Sequence, residues 1–141
     1  MTVAVVQIGG QLVASLPVEA CFPGDFYDAD LKMSMDSRGP GKFSYARPDM
    51  GFGLEADIRA AALRVHTLIG CHGFSRVDFI LSASGAWSIL EVNTIPGLTR
   101  AGNYVACLRS IGLTYDQIVL AMLQSCALTR VNMNLSMESG D

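Results

Sequence analysis

Two consecutive stretches decide how this chain is read: Gly73-Phe74-Ser75-Arg76-Val77-Asp78-Phe79-Ile80-Leu81, and Trp87-Ser88-Ile89-Leu90-Glu91-Val92-Asn93, joined through Ser84-Gly85. Both are apolar runs of strand length flanking a turn signal, the pattern of a β-hairpin. A two-residue turn at Ser84-Gly85 pairs Asp78 with Glu91, Arg76 with Asn93, Val77 with Val92 and Phe79 with Leu90. Residues two apart in a strand point the same way, so Arg76, Asp78, Glu91 and Asn93 share one face. Val77, Val92, Phe79 and Leu90 form the opposite, core-type face.

Two carboxylates directly opposite each other repel, so a positive charge is expected between them. Two readings follow. In one, Arg76 neutralises Asp78 and Glu91 in a structural ion cluster. In the other, Asp78, Glu91 and the Asn93 amide are hard oxygen donors for Mg²⁺, which takes few protein ligands and completes its shell with water and phosphate oxygens. The group contains no histidine or cysteine, which disfavours zinc.

Outward from the hairpin, composition sets the bounds. The 141 residues suit one domain, and 50% hydrophobic content supplies a core. Charged residues make up 16% and the net charge is −3, so no basic surplus points to nucleic acid. Mean hydropathy of +0.35 is high for a short chain, consistent with surface that faces another domain. No apolar run reaches the ~20 residues needed to span a bilayer. The beginning lacks a basic region, and Gln7, Gly9, Gly10 and Gln11 interrupt its apolar run, which argues against a signal peptide. Cys21, Cys71, Cys107 and Cys126 have no paired spacing and read as small buried hydrophobes in a reducing compartment, hence a cytoplasmic location.

Thr2–Ile8 and Gln11–Val18 flank Gly9-Gly10 as a first hairpin. A core-type strand this early fits either an economical domain or the later part of something longer. From Cys21 to Gly53, glycines and prolines leave no period, and a loop of that length is uncommon without a function. Within it, Asp25–Lys32 mixes aromatics, acids and a lysine, which reads as a solvated loop or as an arm carrying a phosphate-binding lysine. Leu54–Ile69 has helical apolar spacing, with Glu55 and Asp57 in its first turn and Gly70 at its end. His66 and His72 read as partly exposed structural histidines. A helix is expected from Ala101 to Ile111, stopped by Gly112. Thr114-Tyr115-Asp116-Gln117 fits a capping box opening a last helix to about Leu128. That helix is apolar nearly all round (Ile118, Val119, Leu120, Met122, Leu123, Cys126) and calls for burial or cover. Residues 1–130 form the expected domain and 131–141 a disordered tail. The order of elements predicts an α+β fold, a largely antiparallel sheet with helices packed on one face.

Gly-Phe-Ser-Arg-Val-Asp-Phe at 73–79 and Leu-Glu-Val-Asn-Thr-Ile-Pro-Gly-Leu-Thr at 90–99 resemble the D-alanine–D-alanine ligases of the ATP-grasp superfamily, over about residues 2–128. The resemblance implies the C-terminal subdomain of that fold. It implies that Asp78, Glu91 and Asn93 hold two Mg²⁺ ions, with Mn²⁺ an alternative, on the phosphates of ATP. Arg76 would stabilise the transferred phosphoryl group, and the Gly97 N–H would face the tetrahedral intermediate. Lys32 would reach the phosphates, and Phe26 would sit against the nucleotide. The implied reaction phosphorylates one D-alanine carboxylate, and the amine of a second D-alanine then displaces phosphate. Its partners are small molecules, ATP and D-alanine or another amino acid, with a separate N-terminal fragment or a homodimer as protein partners.

Three departures accompany the resemblance. The family's N-terminal and central domains have no counterpart here. The tyrosine expected after the loop lysine is Met33. A serine and a leucine that hold the acceptor's carboxylate are replaced by Gly102 and Asn103. The competing readings are a nucleotide-binding module or remnant without ligase activity, and a purely structural interaction domain.

Overall fold

The computed structural model describes residues 1–21 and 44–138, with side chains described through Cys126. Lys32, Phe26 and Met33 lie outside the described residues. Strands β1 (Thr2–Ile8) and β2 (Gln11–Ala14) form the first hairpin. Its turn needs Gly9 and Gly10, with φ of 57° and 86°, positive values that a side chain would resist. Short strands β3 (Glu19–Cys21) and β4 (Ser44–Ala46) pair with each other, so the ends of the expected long loop carry a small sheet. Helix α1 spans Phe52–Leu68, strand β5 Phe74–Leu81 and strand β6 Trp87–Asn93. Helices α2 (Asn103–Arg109) and α3 (Tyr115–Glu138) follow.

Thr114 and Gln117 make the expected capping box at the start of α3. Gln117 Oε1 accepts from the Thr114 N–H at 2.8 Å, and Thr114 Oγ1 accepts from the Gln117 N–H at 3.3 Å. The helix runs to Glu138, past the stop expected near Leu128 and through most of the segment expected as a tail. No helix of the described residues is long and apolar enough to cross a membrane.

The α+β class and the antiparallel sheet are as expected, with strand order β2-β1-β5-β6 and antiparallel pairing throughout. The helices are not on one face. Val3 and Val5 of β1 pack with Val77 and Phe79 against Ile58 and Ala62 of α1. Ala4 and Val6, on the other face, pack against Val105 and Leu108 of α2 and Ile118 and Met122 of α3. The run Val3-Ala4-Val5-Val6 has no polar alternation, so both faces of the strand must be removed from water. Leu120, Leu123 and Cys126 of α3 face outward, although the helix reads as apolar all round.

Other expectations also change. Of the four cysteines only Cys107 is buried; Cys71 is intermediate and Cys21 and Cys126 are exposed, all as free thiols. His66 is fully buried, its Nδ1 2.8 Å from Ser75 Oγ, and its Nε2 has no hydrogen-bond partner. The reason is helical spacing: His66 lies four and eight residues after Ala62 and Ile58, on the face α1 presents to the sheet. Glu55 is buried as well, held by Arg47 at 2.5 Å.

The second hairpin closes through Ala83, Ser84 and Gly85 rather than through a two-residue turn. The Ser82 N–H donates to Ala86 O at 2.8 Å, and Gly85 takes φ of 84°. The longer loop pairs Leu81 with Trp87 and Phe79 with Ile89, not with Leu90. A β-bulge then leaves Leu90 unpaired, and Asp78 meets Glu91 as expected.

Candidate functional site

Arg76, Asp78, Glu91 and Asn93 come together on one face of β5 and β6, with Arg76 opposite Asn93 and Asp78 opposite Glu91. The Arg76 guanidinium lies across the pair. Its Nε donates to Asp78 Oδ1 at 3.0 Å, and its Nη2 donates to Asp78 Oδ2 at 2.7 Å and to Glu91 Oε1 at 3.1 Å. Arg76 and Asp78 side chains are 13% and 18% exposed against 54% for Glu91, so the cluster is closed toward β1 and open toward Glu91.

Burial works against charge at Asp78 and Arg76, and the neighbours reverse it. Desolvation pushes the Asp78 carboxyl up, but hydrogen bonds from Arg76 and Thr2 and the Arg76 charge hold it below its ordinary value. Desolvation likewise disfavours the Arg76 cation, and the Asp78 hydrogen bond with the charges of Asp78 and Glu91 raises its pKa overall. Asp78 and Arg76 therefore stand as an ion pair at neutral pH, with the Glu91 carboxyl group on the same guanidinium. Cys107, beneath it in α2, takes no part as a thiolate: burial pushes its pKa up to about 12.

The donor chemistry fits a magnesium site. Among the described residues, no three His, Cys, Asp or Glu side chains gather as a metal-binding group. A magnesium ion here would need the Asn93 amide as third protein donor and water or phosphate oxygens beyond it, the kind of shell Mg²⁺ prefers. Asn93 Oδ1 also accepts the Ile95 N–H at 3.0 Å, which orients its amide and starts the turn toward Gly97. Gly97 is exposed, and no heavy atom lies within 4 Å of where a Cβ would stand, so a ligand can approach its backbone.

The turn beyond it is shaped by Gly102, whose N–H donates to Thr99 O at 2.9 Å. A Cβ on Gly102 would come within 2.9 Å of Thr99 Oγ1 and 3.2 Å of Thr99 O, so the serine of the resembled family does not fit this turn without a shift. The Asn103 amide oxygen accepts a hydrogen bond from the Tyr45 hydroxyl of β4, which also lies 3.1 Å from Ala101 O.

Two residues absent from the sequence-based candidates belong to the site. Thr2 pairs with Asp78 across β1 and β5, and its hydroxyl donates to Asp78 Oδ1. Tyr45 ties the end of the long loop to the Ala101–Asn103 turn. Neither carries a local signal, because each reaches the site through a contact between segments more than fifty residues apart.

The family model described as "D-ala D-ala ligase C-terminus" matches residues 1–124. A D-alanine–D-alanine ligase of Nitrosospira multiformis is 35% identical over 124 residues, 82% of this chain and 39% of that protein. The solved structure of the VanG D-Ala:D-Ser ligase from Enterococcus faecalis aligns with a TM-score of 0.65 at 28% identity, covering 87% of this chain and 34% of that one. D-alanyl-alanine synthetase A from Vibrio cholerae aligns with a TM-score of 0.68 at 25% identity, covering 88% of this chain and 37% of that one. The chain thus spans roughly two fifths or less of the length of these relatives. The antiparallel α+β arrangement is the one expected for the C-terminal portion of the ATP-grasp fold. With the match running from the first strand into α3, the chain belongs to the D-ala D-ala ligase C-terminus family.

Proposed function

We propose that this chain is the catalytic C-terminal portion of an ATP-dependent carboxylate–amine ligase that joins D-alanine to a second amino acid through an acyl-phosphate, a step of peptidoglycan precursor synthesis in the cytoplasm. The observation that carries the reading is the placement of Arg76, Asp78, Glu91 and Asn93 on one face beside the open Gly97 turn. Residues 1–130 constitute the working unit in this reading.

Asp78, Glu91 and Asn93 would hold magnesium, in two ions, with Mn²⁺ able to replace it. When bound, the metal supplies positive charge to the phosphate oxygens of ATP. Arg76 is already held between the two carboxylates by three hydrogen bonds, so its charge is directed before substrate arrives. Its role would be to stabilise charge on the phosphoryl group in transfer, and the Gly97 N–H would donate to the oxyanion formed when the amine attacks. Lys32 and Phe26 would contact phosphates and nucleotide. Because Gly102 and Asn103 stand where the family holds the acceptor's carboxylate, the acceptor is an amino acid recognised through this altered turn. A relative named for D-Ala:D-Ser ligation supports acceptor variation on this fold.

The partner in this reading is a separate N-terminal fragment, or a second copy in a homodimer. The test is D-alanine-dependent phosphate release from ATP and Mg²⁺, with the chain alone and with a supplied N-terminal fragment. Turnover in either mixture supports the ligase, and turnover in neither, with nucleotide bound, leaves a nucleotide-binding module. Glu91→Ala is expected to weaken Mg²⁺–nucleotide binding by calorimetry, and unchanged binding removes Glu91 from the metal set.

A further inference from the structure

We propose that Thr2 is a positioning residue for Asp78, holding Oδ1 so that Oδ2 is the oxygen presented for metal ligation. The proposal rests on the metal reading of the site given above. Thr2 and Asp78 are direct partners in the β1–β5 ladder, which puts their side chains on one face and in contact. The Thr2 hydroxyl lies 3.3 Å from Val77 O and closer to Asp78 Oδ1. A hydroxyl has one proton to donate, and the charged, nearer acceptor is the stronger one. Asp78 Oδ1 therefore receives Thr2 Oγ1 and Arg76 Nε, while Oδ2 receives Arg76 Nη2, the same nitrogen that reaches Glu91 Oε1. Oδ2 and Glu91 Oε1 are thus the two carboxylate oxygens that share one donor nitrogen.

Thr2 is built to hold this position. Its side chain is branched at Cβ, which restricts χ1, and the residue is only 5% exposed. Its backbone is pinned by reciprocal hydrogen bonds with Val18 at 2.8 and 2.9 Å, and the Cys107 thiol lies 3.6 Å from its carbonyl. The next four residues are Val, Ala, Val and Val. Valine would fill the same space, so packing alone does not call for a hydroxyl here.

The isosteric Thr2→Val variant removes the hydroxyl, and Thr2→Ser restores it. The measurement is binding of Mn²⁺ to the full 141-residue chain, followed by the paramagnetic resonance signal of free Mn²⁺, with far-ultraviolet circular dichroism as a check on folding. Groups that orient a metal ligand typically alter affinity by about 10–100-fold. Thr2→Val is expected to weaken Mn²⁺ binding by about 10-fold, with Thr2→Ser within about 3-fold of the parent. Should Thr2→Val not fold, Thr2→Ala takes its place against Thr2→Ser. Parent-like binding by folded Thr2→Val or Thr2→Ala overturns the role of Thr2 and leaves the metal reading standing. Equal weakening in Thr2→Ser also overturns it, since the hydroxyl would then not matter. Absence of Mn²⁺ binding by the parent chain overturns the metal reading itself, and the proposal with it.

Discussion

Asp78 stands directly opposite Glu91 because Leu90 is left out of the β5–β6 ladder. From the turn, Leu81 pairs with Trp87, Ile80 with Ser88 and Phe79 with Ile89, a register that would next bring Leu90 to Asp78. Carried further, it would set Glu91 against Val77, on the face covered by α1. The bulge returns Glu91 and Asn93 to the Arg76 face and leaves Leu90 63% exposed.

Deleting Leu90 should therefore preserve the site. The shortened β6 would run Ile89, Glu91, Val92, Asn93 against Phe79, Asp78, Val77, Arg76 without a bulge. The variant is expected to fold with stability within about 1 kcal/mol of the parent, since an exposed, unpaired residue is lost. Cross-strand nuclear Overhauser contacts between the Asp78 and Glu91 backbones would verify the pairing, and their loss would refute it.

Arg76→Met leaves Asp78 and Glu91 facing each other without their cation. A loss of about 1–3 kcal/mol in urea denaturation at neutral pH is expected, less than for a fully buried pair because Glu91 is half exposed. In the parent the Asp78 carboxyl is held below its ordinary value of 3.8, so its stabilisation is present above that pH and lost as pH falls through the lower, folded value. In the variant the Arg76 hydrogen bonds and charge no longer oppose burial at Asp78, which leaves the Thr2 hydrogen bond as a weaker hold on the ionised form. The gap between the two proteins should accordingly narrow as pH falls from 7 toward 3.

His66 gives a second, separate pH window. Burial, and then the charge of His72, lower its pKa from 6.5. The unfolded chain therefore binds a proton that the folded chain resists, and stability is complete above about 6.5 and falls as pH drops below it. His66→Gln should flatten the stability profile between about pH 7.5 and 5, measured by urea midpoints. An unchanged slope would assign the effect to another group.

Gly73 meets the side chain of Ser125 at the end of α1's connection to β5. A Cβ there would stand 2.8 Å from Ser125 Cβ, and the backbone φ is +76°. Gly73→Ala is expected to cost about 1–3 kcal/mol from overpacking, with strain at positive φ added. Combining it with Ser125→Gly should recover the packing part and not the strain part, so thermal denaturation of the double variant is expected to lie between the parent and Gly73→Ala.

Much of the site was legible from local rules. Period two in a strand places Arg76 with Asp78 and Glu91 with Asn93, and the carboxylate pairing requires a nearby cation, which Arg76 supplies. Gly9-Gly10 and the Thr114/Gln117 box likewise declare their turn and helix start through backbone chemistry confined to a few residues. The expected Asp78–Glu91 pair arises by a different route, a longer loop offset by a bulge, because the two shifts cancel. Thr2, Tyr45 and the burial of His66 were not legible, since each depends on which distant segment becomes a neighbour.

The sequence by itself determined the two hairpins, the presence of three helices, the α+β class and the composition of the acid–arginine face, because propensity, alternation and capping act over a few residues. Only the tertiary structure decided that β1 lies beside β5, that helices cover both sheet faces, and that a threonine near the start of the chain grips Asp78. Those outcomes follow from burying a strand that is apolar on both sides, and the choice of what buries it is made by the whole chain at once.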